Sequence, residues 1–553
     1  MKKNSNKKRE KKIASLPITK LKAKEVMAEL MRSDRYCTMD LPTYFDFSDI
    51  LNFVSNKVGK KSYKECLNPN MMPQTIDNVN LDIIINKDGR YGVRPLTLTN
   101  PYLYYFLVRE ICNDNNWKRI QKCFSLFENE HFEATAIPQV KQDDSPETFK
   151  GSTAILNWWH RLEQQSIELS LKYRYMFISD ISNCFGQINL DSIDWALSLK
   201  STEYETTKNE DLASSIKQIL QAMQHGRNIG IPQGSTLFSF IAEIILGYTD
   251  MLFARNIEKA QAKGDLPKDL EYRVLRHVDD YRIFCDDKDA LLKMSYLLQE
   301  VLEGFNFRMN TSKTRITSDL VIDSIKPDKA FYIFNTPIES KRGIDFDGFQ
   351  KHLMFIYEFS KRFPNGSQLK NQLSAFSRRI DELLGVKEES KCTDVKLGVS
   401  QGKAKLGHLW EEIPVMVAIA TQIAAENVSV AHLALKVVSQ MLNDMAPEQD
   451  KKRIELVNLI YKKLGQLPNS QFIQIWLQHI THITDDWSDK EIYEMPLCKL
   501  VAKKPTVLWN NDWLNPEMFK GFPIDSIVIR KKLDELGSHI RIPDNGTYNE
   551  NSF

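Results

Sequence analysis

Apolar residues fall along this chain in two rhythms. Tyr175-Met-Phe-Ile178, Val274-Leu-Arg-His-Val278 and Tyr281-Arg-Ile-Phe-Cys285 are short apolar-rich runs that predict strands. Asp279-Asp280 separates the last two and has the length of a tight hairpin loop. Upstream, Leu81 to Leu96 reads as a second hairpin with Asp88-Gly89 as its turn. Leu237–Tyr248 has the apolar content of a buried helix. Towards the C-terminus the spacing turns helical: Ile454, Val457, Tyr461 and Leu464 share a face, as do Phe472, Ile475, Trp476 and Ile480. Between these anchors, 26–75 reads as helices with loops, 126–150 as loop, 151–172 as a Trp-bearing helix, 323–348 as a connector and 384–405 as loop.

The carboxylates change the picture. Asp-Asp doublets occur at 143–144, 279–280, 286–287 and 485–486, so a doublet alone reads as a solvated turn. Asp279-Asp280 differs in standing between two strand-like runs. Two carboxylates about 4 Å apart repel by roughly 4 kcal/mol at an effective dielectric near 20. A site keeping both ionised therefore wants cations, and oxygen-only ligands suit Mg²⁺ or Mn²⁺. The strand predicted at Tyr175–Ile178 runs into Ser179-Asp180 and adds a third carboxylate. Brought beside Asp279, it would hold two ions about 3.5–4 Å apart, the clamp for in-line phosphoryl transfer. Between these strands, Gly226-Arg-Asn-Ile-Gly-Ile-Pro-Gln-Gly-Ser235 packs three Gly and one Pro into a loop suited to close backbone approach.

Taken in order, these segments resemble reverse transcriptases over roughly residues 78–320. Asp180-Ile-x-x-Cys-Phe185 resembles the first palm motif. Gly230-Ile-Pro-Gln-Gly234 with Ala242-Glu-Ile244 resembles the second, Val278-Asp-Asp280 the third, and Phe307-Arg-Met-Asn310 with Lys313-Thr314 the fourth. Ala242-Glu243-Ile244 and Arg276-His-Val-Asp-Asp-Tyr-Arg-Ile-Phe284 are most similar to the bacterial abortive-infection, defence-associated clade. His277 departs from the usual Tyr or Phe, and Gly186 from a frequent Asp. No match to the later primer-grip motif is found.

The resemblance implies an α+β fold: right-hand fingers and palm, with an antiparallel palm sheet and helices, followed by an all-α, HEAT-like C-terminal domain. It implies Asp180 and Asp279 as principal metal ligands, with Asp280 and the Ile181 carbonyl supporting. Phe185 would lie under the incoming sugar and exclude a ribose 2′-hydroxyl. Gly230, Pro232, Gln233 and Gly234 would pack on the template–primer pair, Gln233 also near the nucleotide. Lys313 would approach the triphosphate. Lys87, Arg90 and Arg94 on or beside the early hairpin are candidates for its phosphates, since Arg pairs phosphate oxygens bidentately and Lys is a compact charge.

Composition sets the bounds. At 553 residues, two or three domains are expected. The predicted division is 1–25 basic flexible arm, 26–125 N-terminal helices and fingers hairpin, 126–320 catalytic core, 321–348 connector and 349–553 helical domain. The net charge of +2 is uneven: residues 1–24 hold ten Lys or Arg and one Glu. Such an arm lacks the apolar stretch of a signal peptide. It reads equally as a phosphate-touching segment or a solubilising terminus. Eight scattered Cys without Cys-x-x-Cys pairs predict a reducing cytoplasm and neither zinc nor disulfides. No continuous apolar stretch of membrane-spanning length is found.

The expectation is thus a Mg²⁺-dependent (or Mn²⁺-dependent) DNA polymerase using deoxynucleoside triphosphates. It would copy RNA, a dedicated non-coding RNA included, or extend without template, in antiphage defence. A homo-oligomer is expected, and the DNA product could be primed from a protein hydroxyl such as that of Tyr548. Alternatives are a retron- or intron-type enzyme with another role, an RNA-dependent RNA polymerase, which Phe185 disfavours, and a catalytically silent RNA-binding scaffold.

Overall fold

The computed structural model describes residues 15–86, 92–141, 162–198, 210–335, 348–384, 413–443, 445, 449–481 and 493–536. Among the described residues, nine strands are formed: β1 (Ser15–Pro17), β2 (Leu81–Asn86), β3 (Val93–Leu98), β4 (Phe132–Ala134), β5 (Gln139–Lys141), β6 (Tyr175–Asp180), β7 (Tyr272–His277), β8 (Asp280–Cys285) and β9 (Arg315–Thr317). The five-stranded palm sheet has the order β4-β7-β8-β6-β9. All its pairings are antiparallel except β4 with β7. The expected loop at 126–150 therefore contributes an edge strand. Thr135 donates its N–H to the Arg276 carbonyl at 2.8 Å, and the β1–β5 ribbon lies just beyond.

Strand alternation gives this sheet two unlike faces. Phe177, Val274, Arg276, Tyr281 and Ile283 face one way and join the main core, except that Arg276 there is a buried charge. Met176, Leu275 and Phe284 face the other way. They form a small second core with Leu162 and Leu320, beneath a helix over 162–169.

The expected helix at Leu237–Tyr248 runs longer, over Thr236–Lys263. Its first two-thirds are buried on nearly every side, as in a core helix, while its last turns reach the surface. Its length and hydropathy would suit a membrane span, yet 89% of that window is buried within the protein. Trp117 and Phe124 of the helix Asp114–Phe127 pack on its Phe240, with ring centroids 5.6 and 5.5 Å apart.

Past the palm, the expected connector is partly helical. Pro327–Asn335 is a helix docked on both neighbours. Lys329 pairs with Glu163 at 2.7 Å, and the Asp328 carboxylate accepts the Gln368 N–H at 3.0 Å. Then come the helices Gly348–Arg362, Ser367–Leu384, Ile413–Glu426, Ala431–Asn443, Asp450–Leu464 and Gln471–Thr481. They pack as successive pairs, with first helices touching first helices and second touching second, the two-layer stack of a helical-repeat array.

The last helix of the stack reaches the early hairpin. Gln471 Oε1 accepts the Ile84 N–H of β2 at 3.0 Å, and Asn469 bonds Asn86 at 3.1 Å. The chain then folds back over the N-terminal helices. Trp509 Nε1 donates to the Leu98 carbonyl at 2.9 Å, and Trp513 is buried beside Tyr63. N- and C-terminal regions thus share one continuous apolar core.

Gly247 tests how tightly the central helix is held. A Cβ there would lie 2.8 Å from the Phe127 ring. Gly247→Ala is expected to destabilise by about 1–3 kcal/mol through overpacking, against a helix propensity that favours Ala by roughly 1 kcal/mol. Urea unfolding measures the sign; a more stable variant would mean that the two helices have room to part.

Candidate active site

Strand register brings the carboxylates together. Asp180 ends β6, Asp280 opens β8, and the ladder pairs them directly. His277 pairs with Asp280 from the other side, so His277, Asp280 and Asp180 line one row on one face. The two-residue turn is Val278-Asp279, one position earlier than the expected Asp279-Asp280, because Asp280 is already committed to both ladders. The Asp279 carbonyl accepts the Ile181 N–H at 3.0 Å, which ties the turn to the end of β6.

This arrangement is costly by ordinary sheet rules. Like charges directly opposite on paired strands destabilise. Desolvation, then the charges of Asp279 and Asp180, push the Asp280 carboxyl up to about 7, although Lys326 and Arg282 pull it down. Val278 adds strain with a φ of +52°. A β-branched residue there is an outlier costing roughly 1–3 kcal/mol.

Cations are set around the acidic row. Lys313 places its ammonium on Asp180 Oδ2. The same segment donates the Asn310 N–H to the Asp180 carbonyl at 2.7 Å, and Thr314 bonds Ser179 at 2.9 Å. Lys326, from the connector, is a neighbour that sequence reading missed. Burial depresses its pKa, while Asp280, Asp328 and Glu163 raise it. Nothing in the local sequence marks Lys326; its position comes from the docking of the connector helix on Glu163.

His277 is buried, with Nδ1 3.0 Å from the Thr135 hydroxyl. Burial and the cations Lys326, Arg276 and Arg282 lower its pKa to about 4, so the ring is neutral at physiological pH.

The glycine-rich loop lies under Phe185. The Gly230 N–H donates to the Ile188 carbonyl at 2.7 Å, and the Ile231 N–H to the Phe185 carbonyl at 2.9 Å. Gly230 has a φ of +90°, and a Cβ on it would lie 3.3 Å from the Gly186 carbonyl oxygen. The departure at Gly186 belongs to this close crossing, and the Asn183 side chain fills the space a side chain at 186 would need. At the far end, Gly234 has a φ of +126°, and a Cβ would lie 3.0 Å from the Thr97 carbonyl oxygen. The Thr97 N–H donates to the Gln233 carbonyl at 2.6 Å, and the Thr38 N–H to that of Gly234 at 2.9 Å. The loop therefore bridges Phe185 and strand β3. Pro232 is buried; Phe185, Gln233 and Gly234 are half-buried. Thr97 and Thr38 are loop partners that no sequence signal marked.

Arg94 lies on β3, exposed, opposite Ile85. Lys87, Arg90 and the Asp88-Gly89 turn lie outside the described residues.

Asp180, Asp279 and Asp280 offer only oxygen donors, and burial, followed by the charges of Asp279 and Asp180, raises the Asp280 carboxyl. That chemistry fits a hard divalent cation. Among the described residues, no three acidic, His or Cys side chains already converge at metal-holding distance. Asp180 is paired with the Lys313 ammonium. Because Asp280 is partly protonated near pH 7, adding Mn²⁺ or Mg²⁺ should release protons. Release should be greater at pH 6.5 than at pH 8.5 and smaller in Asp280→Asn. Calorimetry in buffers of different ionisation enthalpy measures it; pH-independent release would remove Asp280 from cation binding.

Residues 108–350 match the reverse transcriptase (RNA-dependent DNA polymerase) family. No curated protein matches the chain. Among solved structures it is similar to apo telomerase from Candida tropicalis, at 13% identity and a TM-score of 0.31, over 74% of each chain. It is also similar to Candida tropicalis telomerase with a TWJ fragment of telomeric RNA (13% identity, TM-score 0.27, 69% of this chain and 64% of that one). The corresponding Candida albicans complex gives 10% identity and a TM-score of 0.28 over 72% and 66%. The family match spans the acidic row, the glycine-rich loop and Lys313 alike; this chain carries a reverse transcriptase domain, and its enzymatic class is RNA-directed DNA polymerase.

Proposed function

We propose that the chain synthesises DNA from deoxynucleoside triphosphates on an RNA template, with Asp180, Asp279 and Asp280 holding Mg²⁺. The observation that carries this reading is the direct pairing of Asp180 with Asp280 next to the Asp279 turn, inside the family match. When bound, divalent ions lower the pKa of the primer 3′-hydroxyl and neutralise the departing pyrophosphate. The chain's own residues do the rest. Phe185, held over the Ile231 N–H, stands where a ribose 2′-hydroxyl would collide. Lys313, within reach of Asp180, is the donor poised beside the phosphates, and Arg94 offers an exposed fork to the triphosphate. Gly230 to Gly234 let the template–primer pair approach the backbone.

The similarity of Ala242-Glu-Ile244 and Arg276–Phe284 to the abortive-infection clade supports a role in antiphage defence in the bacterial cytoplasm. A dedicated RNA, a protein-linked DNA product and a homo-oligomer belong to the same reading.

Primer extension on poly(rA)–oligo(dT) with dTTP or UTP tests the chemistry. Deoxynucleotide preference is expected, and Asp279→Ala should lower kcat by about a thousandfold. Preference for UTP would make the chain an RNA polymerase. A plaque assay with Asp279→Ala separates enzyme from scaffold, because defence that survived the substitution would require no synthesis. Arg94→Ala should raise KM for dTTP about tenfold while leaving template–primer affinity within twofold; equal effects on both would remove it from the triphosphate.

A further inference from the structure

Arg276 is 1% exposed and sits on β7, directly behind the turn. Its guanidinium grips Glu243 with two hydrogen bonds, at 2.9 and 3.1 Å, and Asp250 with a third at 2.8 Å. Both acids lie on the buried helix Thr236–Lys263, seven residues apart and hence on one face. The Tyr281 hydroxyl, from the residue paired with Arg276, donates to the other Asp250 oxygen at 2.9 Å. The fourth hydrogen bond of the guanidinium leaves the cluster: Nη1 reaches the Val278 carbonyl at 3.2 Å.

That bond lands on the one β-branched residue with positive φ among the described residues, immediately before Asp279. The turn is thus held twice, by Arg276 from the core side and by the Ile181 N–H on the Asp279 carbonyl from β6. A purely packing role would not need a charge triad that continues into the turn. Buried ion triads are often replaceable by apolar groups without loss of stability.

We propose that Glu243, Asp250 and Arg276 are positioning residues that hold the Val278-Asp279 turn in the conformation presenting Asp279 to the divalent ions. Two sequence features that look separate, Glu243 after Ala242 and Arg276 before His277, are then one device. The inference rests on the reading of Asp279 as a metal ligand, and the experiment keeps the two apart.

The test compares full-length wild type with the variant E243L/D250N/R276M, in which Asn at 250 preserves an acceptor for Tyr281. The variant is expected to unfold thermally within a few degrees of wild type. Its kcat should fall at least tenfold, its KM for dTTP should stay within twofold, and its Mn²⁺ dissociation constant by calorimetry should rise severalfold. Adding Val278→Gly, which accepts positive φ without a clamp, should recover at least threefold of both losses. A stable triple variant with wild-type kcat and Mn²⁺ affinity overturns the proposal. So does a defective one that Val278→Gly leaves unimproved. Should the triple variant not fold, Arg276→Lys, which keeps the charge but loses the fork, takes its place with the same readouts. If wild type binds Mn²⁺ through Asp279 yet extends no primer, the polymerase reading fails while the Mn²⁺ comparison still judges the positioning role.

Discussion

Two carboxylates placed directly opposite each other on paired strands are the constraint around which this molecule is arranged. A sheet built for stability alone would not put Asp180 against Asp280. Their repulsion is offset locally by Lys313, Lys326 and Arg282, which come from three separate segments. Rigidity comes from the opposite face of the sheet, where Arg276 and Tyr281 bond Asp250 of the buried helix Thr236–Lys263. Acidic row, glycine-rich loop and fourth motif meet because β6 is an interior strand: β8 flanks it on one side and β9 on the other, and the loop passes under the turn that follows it.

The helical stack is part of the same body. Gln471 bonds the backbone of β2, Trp509 that of β3, and the connector brings Lys326 towards Asp280. The early hairpin, which the proposed function makes a nucleotide contact, is therefore anchored along its strands by residues distant in the chain, Gln471 on β2 and Trp509 on β3. Strain at Val278 is tolerated for the same reason: a turn that would relax in isolation is over-determined by Arg276 and Ile181.

Much of this was legible before any coordinates. Strands at Tyr175–Ile178 and on either side of Asp279-Asp280, the buried helix near Leu237–Tyr248, the early hairpin and the C-terminal helices all follow from short-range periodicity. Boundaries slipped where long-range pairing decided them. Asp280 joined a strand because two neighbours bond it. Phe132–Ala134 became an edge strand because β7 was there to pair with, and Pro327–Asn335 became a docked helix because Glu163 and Gln368 offered partners.

The sequence by itself determined which chemistry was on offer: carboxylates in series, a glycine-rich loop and a lysine after Asn310. These depend on residue type and local order. Only the tertiary structure decided who answers whom. That Arg276 pairs with Glu243 and Asp250, that Lys326 lies near the acidic row and that Lys313 pairs with Asp180 depend on distances across the fold. Coulomb energies and buried hydrogen bonds are functions of separation in space, and one-dimensional order does not contain them.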